Sequence, residues 1–371
     1  MPMRRKLRRT DIILQGSVIG ILGDGQLGQM LALAAVMLGF TVKVIGPEGR
    51  DSPAGHASYW ANVWAADALV SEELLDEFCE GLSVVLLEWE NVPVELVRRI
   101  EARGIRVCCG SDVLEIAQDR IKEKTFARAH DIPTPDFRSV SCDADVSGAL
   151  QCVQVPSILK TCRGGYDGQK QVPLKVGASV EKAWRKLKGV PCILETKIPF
   201  SYEISVIVAK SCSEMECYGP FVNVHRNGIL HTTTYPGKVP ERVQKRALLM
   251  AKVIARKLKV HGIIAIEMFV THDDDVLFNE MAPRTHNSGH GTQWWSFTSQ
   301  FEQHIRAACN WPLGSAEFHS GGVMTNIIGF NVRFWQKRLL NPRVKLHLYG
   351  KAKARRGRKM GHVVEIHPLP K

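Results

Sequence analysis

Apolar runs and helical patterns alternate in the first third of the chain. The runs at 17–22 and 41–45 enclose a glycine-rich turn and a helical pattern that stops at Gly39. This order predicts a strand–helix–strand unit with a parallel sheet. The next predicted elements are a strand at 83–87 and helices at 71–81 and 92–103. We therefore expect roughly the first 115 residues to form a doubly wound α/β domain.

Strand patterns dominate the rest of the chain. A charged helix at 118–131 stops at the prolines of 132–135, which indicates a domain junction. Strands are predicted at 155–160, on both sides of Pro199 within 190–210, at 263–270 and at 276–278, with an amphipathic helix at 241–258. Few crossover helices remain, so we expect an α+β second domain. A small, basic segment follows Pro312.

Composition narrows the class of protein. A chain of 371 residues that is 45% hydrophobic suits two or three domains, and no apolar run reaches membrane-spanning length. Ten cysteines without a CxxC pair predict reduced thiols in the cytoplasm. The net charge of +12 permits anionic partners, but an aromatic content of 7% argues against binding of single-stranded nucleic acid.

The basic start MPMRRKLRRT lacks an apolar segment and is therefore not a secretory signal. It is open to three interpretations: a solvated tail, a nucleic-acid arm or a misjudged start codon. We favour the first or the third, because the folded pattern begins only at Ser17.

Gly23-x-Gly25-x-x-Gly28 lies between a strand and a helix, the context that a dinucleotide-binding fingerprint requires. Glu48, 20 residues after Gly28, stands where a ribose-binding acid is expected. A NAD-dependent oxidoreductase and a Rossmann-like turn without a nucleotide both remain open on this motif alone.

A second glycine-rich segment, KTCRGGYDGQKQ, starts at Lys160. A lysine at the end of a strand and a flexible loop of glycines can surround triphosphate oxygens, with backbone N–H donors and a positive charge. It is not a Walker A sequence. The alternative interpretation is a surface hairpin.

Glu267 and Glu280 form the most specific pattern. If the acidic turn centres between Asp273 and Asp274, the two glutamates pair across a hairpin and share one face. Two carboxylates beside Asn279, among apolar neighbours, predict an oxygen-ligand site for Mg²⁺. The alternative is a solvated polar face.

The segment 284–290 combines an arginine with two histidines. Arg284 would stand beside the metal, where a planar guanidinium suits a small oxyanion such as bicarbonate. His286 and His290 have the spacing of zinc ligands on a helix, but Ser288 and Gly289 disfavour a helix there. We therefore favour hydrogen bonding within the loop over zinc.

A basic run, KAKARRGRK, occupies 351–359. It is open to three readings: a nucleic-acid patch, a solvated tail or a phosphate clamp. The glycines at 350 and 361 suggest an ordered turn and favour the clamp.

The flap lysine, the glutamate pair and the trailing arginine resemble the ATP-grasp superfamily. The segments GDGQLGQM, QDRIKEK, ILETKIPF, YEISVIVA, NEMAPRTHNSGH, TSQFEQHIRA and YGKAKARRGRKMGH, in order over 23–362, narrow the resemblance to the 5-(carboxyamino)imidazole ribonucleotide synthases. The resemblance implies an ATP-grasp fold of mixed α/β and α+β class. It divides the chain into a basic extension (1–16), a Rossmann-like pre-ATP-grasp domain (17–118), an ATP-grasp domain (119–314) with a lid around 155–205, and a small C-terminal domain (315–371).

The resemblance also implies roles for individual residues. ATP would contact Arg120, Lys160, Tyr166, Asp167, Gly168, Gln169, Lys170, Gln171, Val172, Glu195, Thr196, Lys197, Ile198, Glu203, His225, Asn279 and Glu280. Mg²⁺ would be held by Glu267 and Glu280. Aminoimidazole ribonucleotide would contact Gln26, Leu27, Glu90, Tyr166 and Asp167, with its 5′-phosphate on Lys351, Arg358 and Lys359, and bicarbonate would lie on Arg284.

The reaction implied is ATP-dependent carboxylation of aminoimidazole ribonucleotide through carboxyphosphate, with Arg284, Lys160 and Asp167 as the catalytic groups and Asp167 orienting the amine. A homodimer in the cytoplasm, with no nucleic-acid or membrane partner, is expected. A formate-using transformylase of the same superfamily is the main alternative. Four positions depart from the family pattern: Asp24, Gln29, Lys170 in place of a flap glycine, and Gly291 where tryptophan is usual.

Overall fold

The first sheet has five parallel strands in the order β3-β2-β1-β4-β5. The structure is a computed structural model that describes residues 12–64, 70–153, 155–165 and 170–369. The strands are β1 (Val18–Leu22), β2 (Thr41–Gly46), β3 (Trp60–Val63), β4 (Leu82–Leu87) and β5 (Arg106–Cys108). The helices around them are α1 (Gln26–Met37), α2 (Glu72–Cys79), α3 (Val94–Ala102) and α4 (Ser111–Ala117).

The central strands β1 and β4 are almost fully buried, because helices cover both faces of a parallel sheet. The strand order reverses between β1 and β4. In open α/β sheets, ligands bind beyond the carboxyl ends of the strands at such a switch point. The segments that follow β1 and β4, starting at Gly23 and Glu88, therefore face a cleft.

A small antiparallel sheet follows helix α5 (Arg120–Ala129), with strands in the order β6-β9-β7-β8. Its elements are β6 (Phe137–Val140), α6 (Asp143–Cys152), β7 (Ser157–Thr161), β8 (Gln171–Leu174), α7 (Val180–Lys186) and β9 (Cys192–Thr196). The loop between β7 and β8 is the predicted flap. Tyr166, Asp167, Gly168 and Gln169 in that loop, and residues 1–11 of the basic extension, lie outside the described residues.

The third sheet is antiparallel and has eight strands in the order β14-β13-β10-β11-β12-β15-β17-β16. The strands are β10 (Phe200–Lys210), β11 (Met215–Arg226), β12 (Ile229–Tyr235), β13 (Gly262–Thr271), β14 (Val276–Ala282), β15 (Gly321–Ile328), β16 (Val344–Leu348) and β17 (Lys359–His367). The helices are α8 (Glu241–Lys257), α9 (Thr292–Trp295), α10 (Gln300–Ala308) and α11 (Trp335–Arg338). The last three strands come from the C-terminal segment, which thus extends the central sheet.

Helix α8 shows how sequence pattern becomes packing. Its buried residues Val243, Ala247, Met250 and Ile254 recur at intervals of three and four, so they form one apolar stripe. That stripe packs in one core cluster with β10 and β13, including Val206. The sheet that carries the functional hairpin is thereby supported from behind.

Candidate functional site

One cleft of about 400 Å³ brings together side chains from all three sheets. The predicted residues that line it are Gln26, Leu27, Glu90, Arg120, Lys160, Lys170, Gln171, Glu203, His225, Glu267, Asn279, Glu280, Arg284 and Lys359. Seven other predicted residues with described positions do not line the cleft: Val172, Glu195, Thr196, Lys197, Ile198, Lys351 and Arg358. The sequence therefore predicted residues that the fold does bring together.

Glu267 and Glu280 are register partners across the β13–β14 hairpin, as the sequence predicted. The predicted turn centre was wrong, however. Val270 pairs with Val276, which centres the turn on Asp273, and this register alone would put Glu267 opposite Asn279. The register shifts between Glu267 and Met268, because Asn279 is an extra residue in β14. This β-bulge restores the glutamate pair.

Each glutamate has a cationic or protonatable neighbour. Arg120 Nη1 lies 3.0 Å from Glu280 Oε2. Burial opposes the charge of Arg120, but Glu280 and the nearby carboxylates of Glu123 and Glu195 raise its pKa overall. Burial likewise opposes the charge of Glu267, yet a contact with His286 lowers its pKa. The Glu267 carboxylate is therefore held in the ionised form that a cation requires, and Glu280 has a cation within contact distance.

A chain of buried hydrogen bonds fixes the ring of His286. Asn223 donates to Ser205, Ser205 donates to Ser288, and the Ser288 hydroxyl lies 2.8 Å from Nδ1 of His286. The other ring nitrogen, Nε2, lies 3.0 Å from Glu267 Oε1. If Ser288 donates to Nδ1, then Nε2 carries a proton that it can donate to Glu267.

His225 and Glu203 form a close pair on the neighbouring strands β11 and β10. Burial alone would lower the pKa of His225, but the carboxylates of Glu203, Glu267 and Glu280 raise it. The two residues line the same wall of the cleft as the hairpin. They supply one donor and one acceptor to a polar ligand there.

Lys160, at the end of β7, donates to Glu195 over 2.7 Å. Although Glu195 is 2% exposed, Lys160 and Lys124 lower its pKa. The lysine ammonium thus lines the cleft while its partner carboxylate lies behind it. Lys170, in place of a flap glycine, has a φ of 55°, a conformation that glycine adopts without strain.

Arg284 lies beside Glu90, and their guanidinium and carboxylate are in contact. Burial opposes both charges, but each partner stabilises the other: the pKa of Glu90 falls and that of Arg284 rises. The second nitrogen, Nη1, donates to the carbonyl of Thr285. The guanidinium is therefore fixed at the edge of the cleft between the first and third sheets.

The glycine-rich loop after β1 is filled by a side chain of the protein itself. A Cβ on Gly25 would lie 2.5 Å from Glu88 Oε1, and one on Gly23 would lie 2.6 Å from Glu88 Oε2. Burial raises the pKa of this carboxyl. Because Glu88 occupies the cradle where a pyrophosphate would bind, the loop has no room for a dinucleotide. Glu48, the candidate ribose ligand, pairs instead with Arg358.

The basic C-terminal turn packs against the first sheet. Lys351 Nζ donates to Gln26 Oε1 over 2.7 Å, and Arg358 Nη2 lies 2.7 Å from Glu48 Oε1. Lys359 lines the cleft. Burial lowers the pKa of Lys351 to about 8. The run is an ordered turn with several cations around one position, as a phosphate clamp requires.

The two histidines of the HNSGH loop point to different surroundings. His290 is fully buried; its ring stacks on His362 at 4.3 Å, and Tyr349 lies 3.4 Å from its Nε2. His286 faces Glu267 instead. Among residues 12–64, 70–153, 155–165 and 170–369, no group of three or more His, Cys, Asp or Glu is arranged to hold a metal by itself. The geometry thus favours hydrogen bonding over zinc.

The other departures from the family pattern also have local explanations. Asp24 Oδ2 accepts from the backbone N–H groups of Glu48 and Gly49 and anchors the segment after β2. Oε1 of Gln29 lies 3.1 Å from Nε2 of His347. The Trp295 ring occupies the space that a side chain at Gly291 would need.

Two buried charged residues near the cleft were given no role by the sequence reasoning. Glu123 and Lys124 on α5 are each 1% exposed, and Glu123 lines the cleft. Burial raises the pKa of Glu123 to about 8 and lowers that of Lys124. The signal was present in the segment QDRIKEK, of which only Arg120 was given a role.

Three family models match the chain in order. They are the ribonucleotide synthetase preATP-grasp domain over 17–118, the ATP-grasp domain over 125–301 and the phosphoribosylaminoimidazole carboxylase C-terminal domain over 322–368. The predicted fold class is therefore confirmed. Within the described residues, no helix combines the length and apolar character needed to cross a membrane.

Curated relatives match over most of the chain. The N5-carboxyaminoimidazole ribonucleotide synthase of Bacillus subtilis is 38% identical over 95% of this chain and 92% of its own length. The bifunctional purine synthesis protein purC/E of Dictyostelium discoideum is 40% identical over 95% of this chain, which spans 37% of that longer protein.

Solved structures give the same likeness. An ADP complex of an N5-carboxyaminoimidazole ribonucleotide synthetase has a TM-score of 0.90 and 38% identity, covering 96% of this chain and 94% of the other. The Aspergillus clavatus enzyme in complex with ADP and 5-aminoimidazole ribonucleotide has a TM-score of 0.86 and 26% identity, covering 96% and 95%.

Proposed function

The chain belongs to the N5-carboxyaminoimidazole ribonucleotide synthases, and we propose that the cleft between its three sheets is where ATP, bicarbonate and aminoimidazole ribonucleotide react. It is an ATP-grasp ligase that forms a carbon–nitrogen bond in purine biosynthesis. The observation that carries the site assignment is the convergence, in one cleft, of the paired Glu267 and Glu280, the fixed Arg284 and the basic turn.

The ATP subsite lies between the small sheet and the hairpin. Arg120 and Lys160 line it and take the phosphates, while Lys170 and Gln171 close it from the flap. The flap residues Tyr166, Asp167, Gly168 and Gln169, together with Val172, would cover the phosphates. Glu195, Thr196, Lys197 and Ile198 connect the small sheet to β10 and would contact adenine. Glu203, paired with His225, would bind the ribose.

Glu267, Glu280 and the neighbouring Asn279 fit Mg²⁺. Magnesium is commonly held by one or two carboxylates and the phosphates of its nucleotide, and the two glutamates are directly opposite each other. The lowered pKa of Glu267 agrees with that assignment. When bound, Mg²⁺ neutralises charge on the phosphates during transfer.

The first chemical step is proposed to be phosphoryl transfer to bicarbonate. Arg284 holds bicarbonate so that one of its oxygens attacks the γ-phosphorus of ATP. The new phosphorus–oxygen bond gives carboxyphosphate, and the bond to the β–γ bridging oxygen breaks and releases ADP. Lys160 and Arg120 stabilise the charge of the transferred group.

The second step is proposed to be carboxylation of the amine. The exocyclic nitrogen of aminoimidazole ribonucleotide attacks the carbon of carboxyphosphate, or of CO₂ released from it. Inorganic phosphate leaves, and the amine loses a proton. Asp167 would orient that amine, and closure of the flap would exclude water.

The ribonucleotide would lie between the first sheet and the C-terminal turn. Gln26, Leu27 and Glu90 line this end of the cleft and face its base and ribose, together with Tyr166 and Asp167 of the flap. Lys351, Arg358 and Lys359 would bind the 5′-phosphate, which suits several cations around one position.

We also propose the domain division 1–16, 17–118, 119–314 and 315–371, a homodimeric assembly and a cytoplasmic location. The cysteines whose side chains are described are all unbridged, which agrees with a reducing compartment.

The test is release of ADP with bicarbonate, formate or aminoimidazole ribonucleotide added or omitted in turn. The proposed function predicts ADP release that needs bicarbonate and increases with the ribonucleotide, and no response to formate. A rate of ADP release that does not change when the ribonucleotide is added would contradict the proposed function. Stimulation by formate would favour a transformylase.

A further inference from the structure

The bulge that pairs Glu267 with Glu280 is held from outside the hairpin. Strand β14 is the edge of the eight-stranded sheet, so within the described part of the chain one side of its backbone has no neighbouring strand. Helix α5 and the turn after it cover that side. Lys124 Nζ donates to the carbonyl of Phe278 over 3.1 Å, and Met281 N–H donates to Glu123 Oε1 over 2.6 Å.

The turn after α5 adds two more contacts to the same edge. Phe278 N–H donates to the carbonyl of Pro133 over 2.7 Å. The hydroxyl of Thr134 donates to the carbonyl of Phe278 over 3.0 Å. The backbone groups of Phe278 are therefore saturated by partners that are not part of the sheet, which also protects an edge strand from pairing elsewhere.

The spacing of these contacts is specific for the bulged strand. In a regular edge strand, backbone groups that point outward recur every second residue, so Phe278 would be followed by Glu280. Here the outward groups belong to Phe278 and Met281, three residues apart, because Asn279 is the extra residue. Adjacent side chains of α5, Glu123 and Lys124, thus contact the two sides of the bulge.

The burial of these two charged residues demands an explanation. Each is 1% exposed, and lysine and glutamate are almost never buried to this extent unless they have specific partners. Lys124 also lies 5.2 Å from the ring of Phe278. Apolar side chains would avoid the cost of desolvation, so the contacts to β14 are the feature that favours a glutamate and a lysine here.

We infer that Glu123 and Lys124 are positioning residues of the ATP site: together they hold the bulge that puts Glu280 opposite Glu267. The inference rests on the proposed role of Glu280 in binding Mg²⁺ and ATP. Arg120, one helical turn earlier on α5, contacts the Glu280 carboxylate itself. One helix therefore sets both the register of the strand and the direction of its functional side chain.

Loss of the bulge would have a defined consequence. A register without the extra residue would place Asn279 opposite Glu267 and Glu280 opposite Ile266, which is fully buried in the core. A shift of one residue moves each side chain to the other face of the sheet. The cleft would keep one carboxylate of the pair and lose the other.

Four variants of the full-length protein test the inference. Glu123→Leu and Lys124→Met remove the acceptor and the donor. Glu123→Gln keeps a carbonyl oxygen that can accept from Met281. Met250→Ala is a matched control for loss of stability, because Met250 lies on α8 in the core cluster that also contains Phe278 and Met281. For each variant we would measure kcat for ADP release, the Mg²⁺ concentration at half-maximal rate, the thermal midpoint and amide hydrogen exchange at Met281.

Glu123→Leu and Lys124→Met should lower kcat about tenfold or more and raise the half-maximal Mg²⁺ concentration several-fold, because misplacement of a reacting group by about 1 Å is that costly. Amide exchange at Met281 should accelerate in Glu123→Leu. Glu123→Gln should restore kinetics close to the wild type. Met250→Ala should lower the thermal midpoint and leave the Mg²⁺ dependence unchanged.

The inference is overturned if the two variants change only the thermal midpoint, or if Met250→Ala reproduces their kinetic loss. Should Glu123→Leu not fold, Thr134→Val removes a donor to Phe278 at a partly exposed position and must shift the Mg²⁺ dependence in the same direction. If ADP release by the wild-type enzyme does not depend on the ribonucleotide, the proposed function is refuted instead. Exchange at Met281 would still test the contact.

Discussion

Arg120 Nη1 lies 3.0 Å from Glu280 Oε2, so a residue assigned to the phosphates of ATP is paired with a residue assigned to its metal. When ATP and Mg²⁺ bind, Arg120 would contact the triphosphate and Glu280 would contact Mg²⁺, in place of their present contact with each other. The pair therefore supplies a cation for the phosphates and an oxygen ligand for the metal, and the neighbouring carboxylates raise the pKa of Arg120 although burial opposes its charge.

Glu280→Gln should reduce ATP turnover by about 100-fold or more, because an amide oxygen is a much weaker magnesium ligand than a carboxylate. The readout is kcat for ADP release at saturating ATP. Asp275→Asn is the matched control, since Asp275 is an exposed acid of the same hairpin paired with Arg246. Near-normal turnover of Glu280→Gln would refute the metal assignment.

Arg358→Ala should mainly raise KM for the ribonucleotide, since its guanidinium, paired with Glu48, belongs to the basic turn assigned to the 5′-phosphate. The effect should be about tenfold or more, as expected for loss of one charge-assisted contact of roughly 1.5–3 kcal/mol. Arg356→Ala, an exposed cation two residues away, should have little effect. If only KM for ATP changes, Arg358 belongs to the other subsite.

The pH dependence of ribonucleotide binding should reflect Lys351. Burial lowers its pKa to about 8, and Arg358 and Lys359 add to the decrease while Glu88 and Glu48 oppose it. Its ammonium is therefore present below about pH 8 and is lost above it. We expect kcat/KM for the ribonucleotide to fall as the pH rises through 8, because kcat/KM reports the free enzyme.

Lys351→Arg is the control for that profile, since arginine keeps its charge throughout this range. The variant should bind the ribonucleotide with little change above pH 8. Identical alkaline profiles for the two proteins would exclude Lys351 as the group that titrates.

Gly25→Ala should destabilise the protein by about 1–3 kcal/mol, the usual cost of overpacking. The backbone at Gly25 has a φ of −77°, which any residue adopts, so the cost comes from the Glu88 carboxylate and not from strain. Chemical denaturation measures it. Glu88→Ala should relieve the effect of Gly25→Ala in a double-mutant cycle.

Gly148→Ala supplies the comparison for that cycle. No atom lies within 4 Å of a Cβ at this helical glycine, so alanine should be neutral or slightly stabilising. Additive effects of Gly25→Ala and Glu88→Ala would mean that Glu88 does not fill the glycine-rich loop.

Periodicity predicted part of the fold. The predicted strands at 17–22, 41–45 and 83–87 correspond to β1, β2 and β4 within about one residue at each end, and the predicted helix at 241–258 corresponds to α8. The three strands are continuous apolar runs buried on both faces and the helix has one apolar stripe, so local pattern and packing agree. The eight-stranded sheet was not predictable in this way, because strands far apart in sequence pair within it.

In the candidate site too, the local pattern was predictable and the long-range contacts were not. Glu267 and Glu280 were placed on one hairpin by counting from its turn, but the count gave the right pair only because the bulge at Asn279 compensates for a turn centre that was off by half a residue. The backbone on both sides of the bulge bonds to side chains of α5, about 155 residues earlier in the chain. Glu88 escaped notice for a similar reason, since the glycine-rich loop gives no sign of what fills it. The roles of the individual residues remain predictions.

The most direct test of the mechanism is the fate of oxygen from ¹⁸O-labelled bicarbonate. If a bicarbonate oxygen attacks the γ-phosphorus of ATP, each turnover must transfer one labelled oxygen to inorganic phosphate, and ADP must remain unlabelled. Mass spectrometry of the phosphate released with aminoimidazole ribonucleotide present measures this. Phosphate that carries no label, while the ribonucleotide is carboxylated, would contradict a carboxyphosphate intermediate.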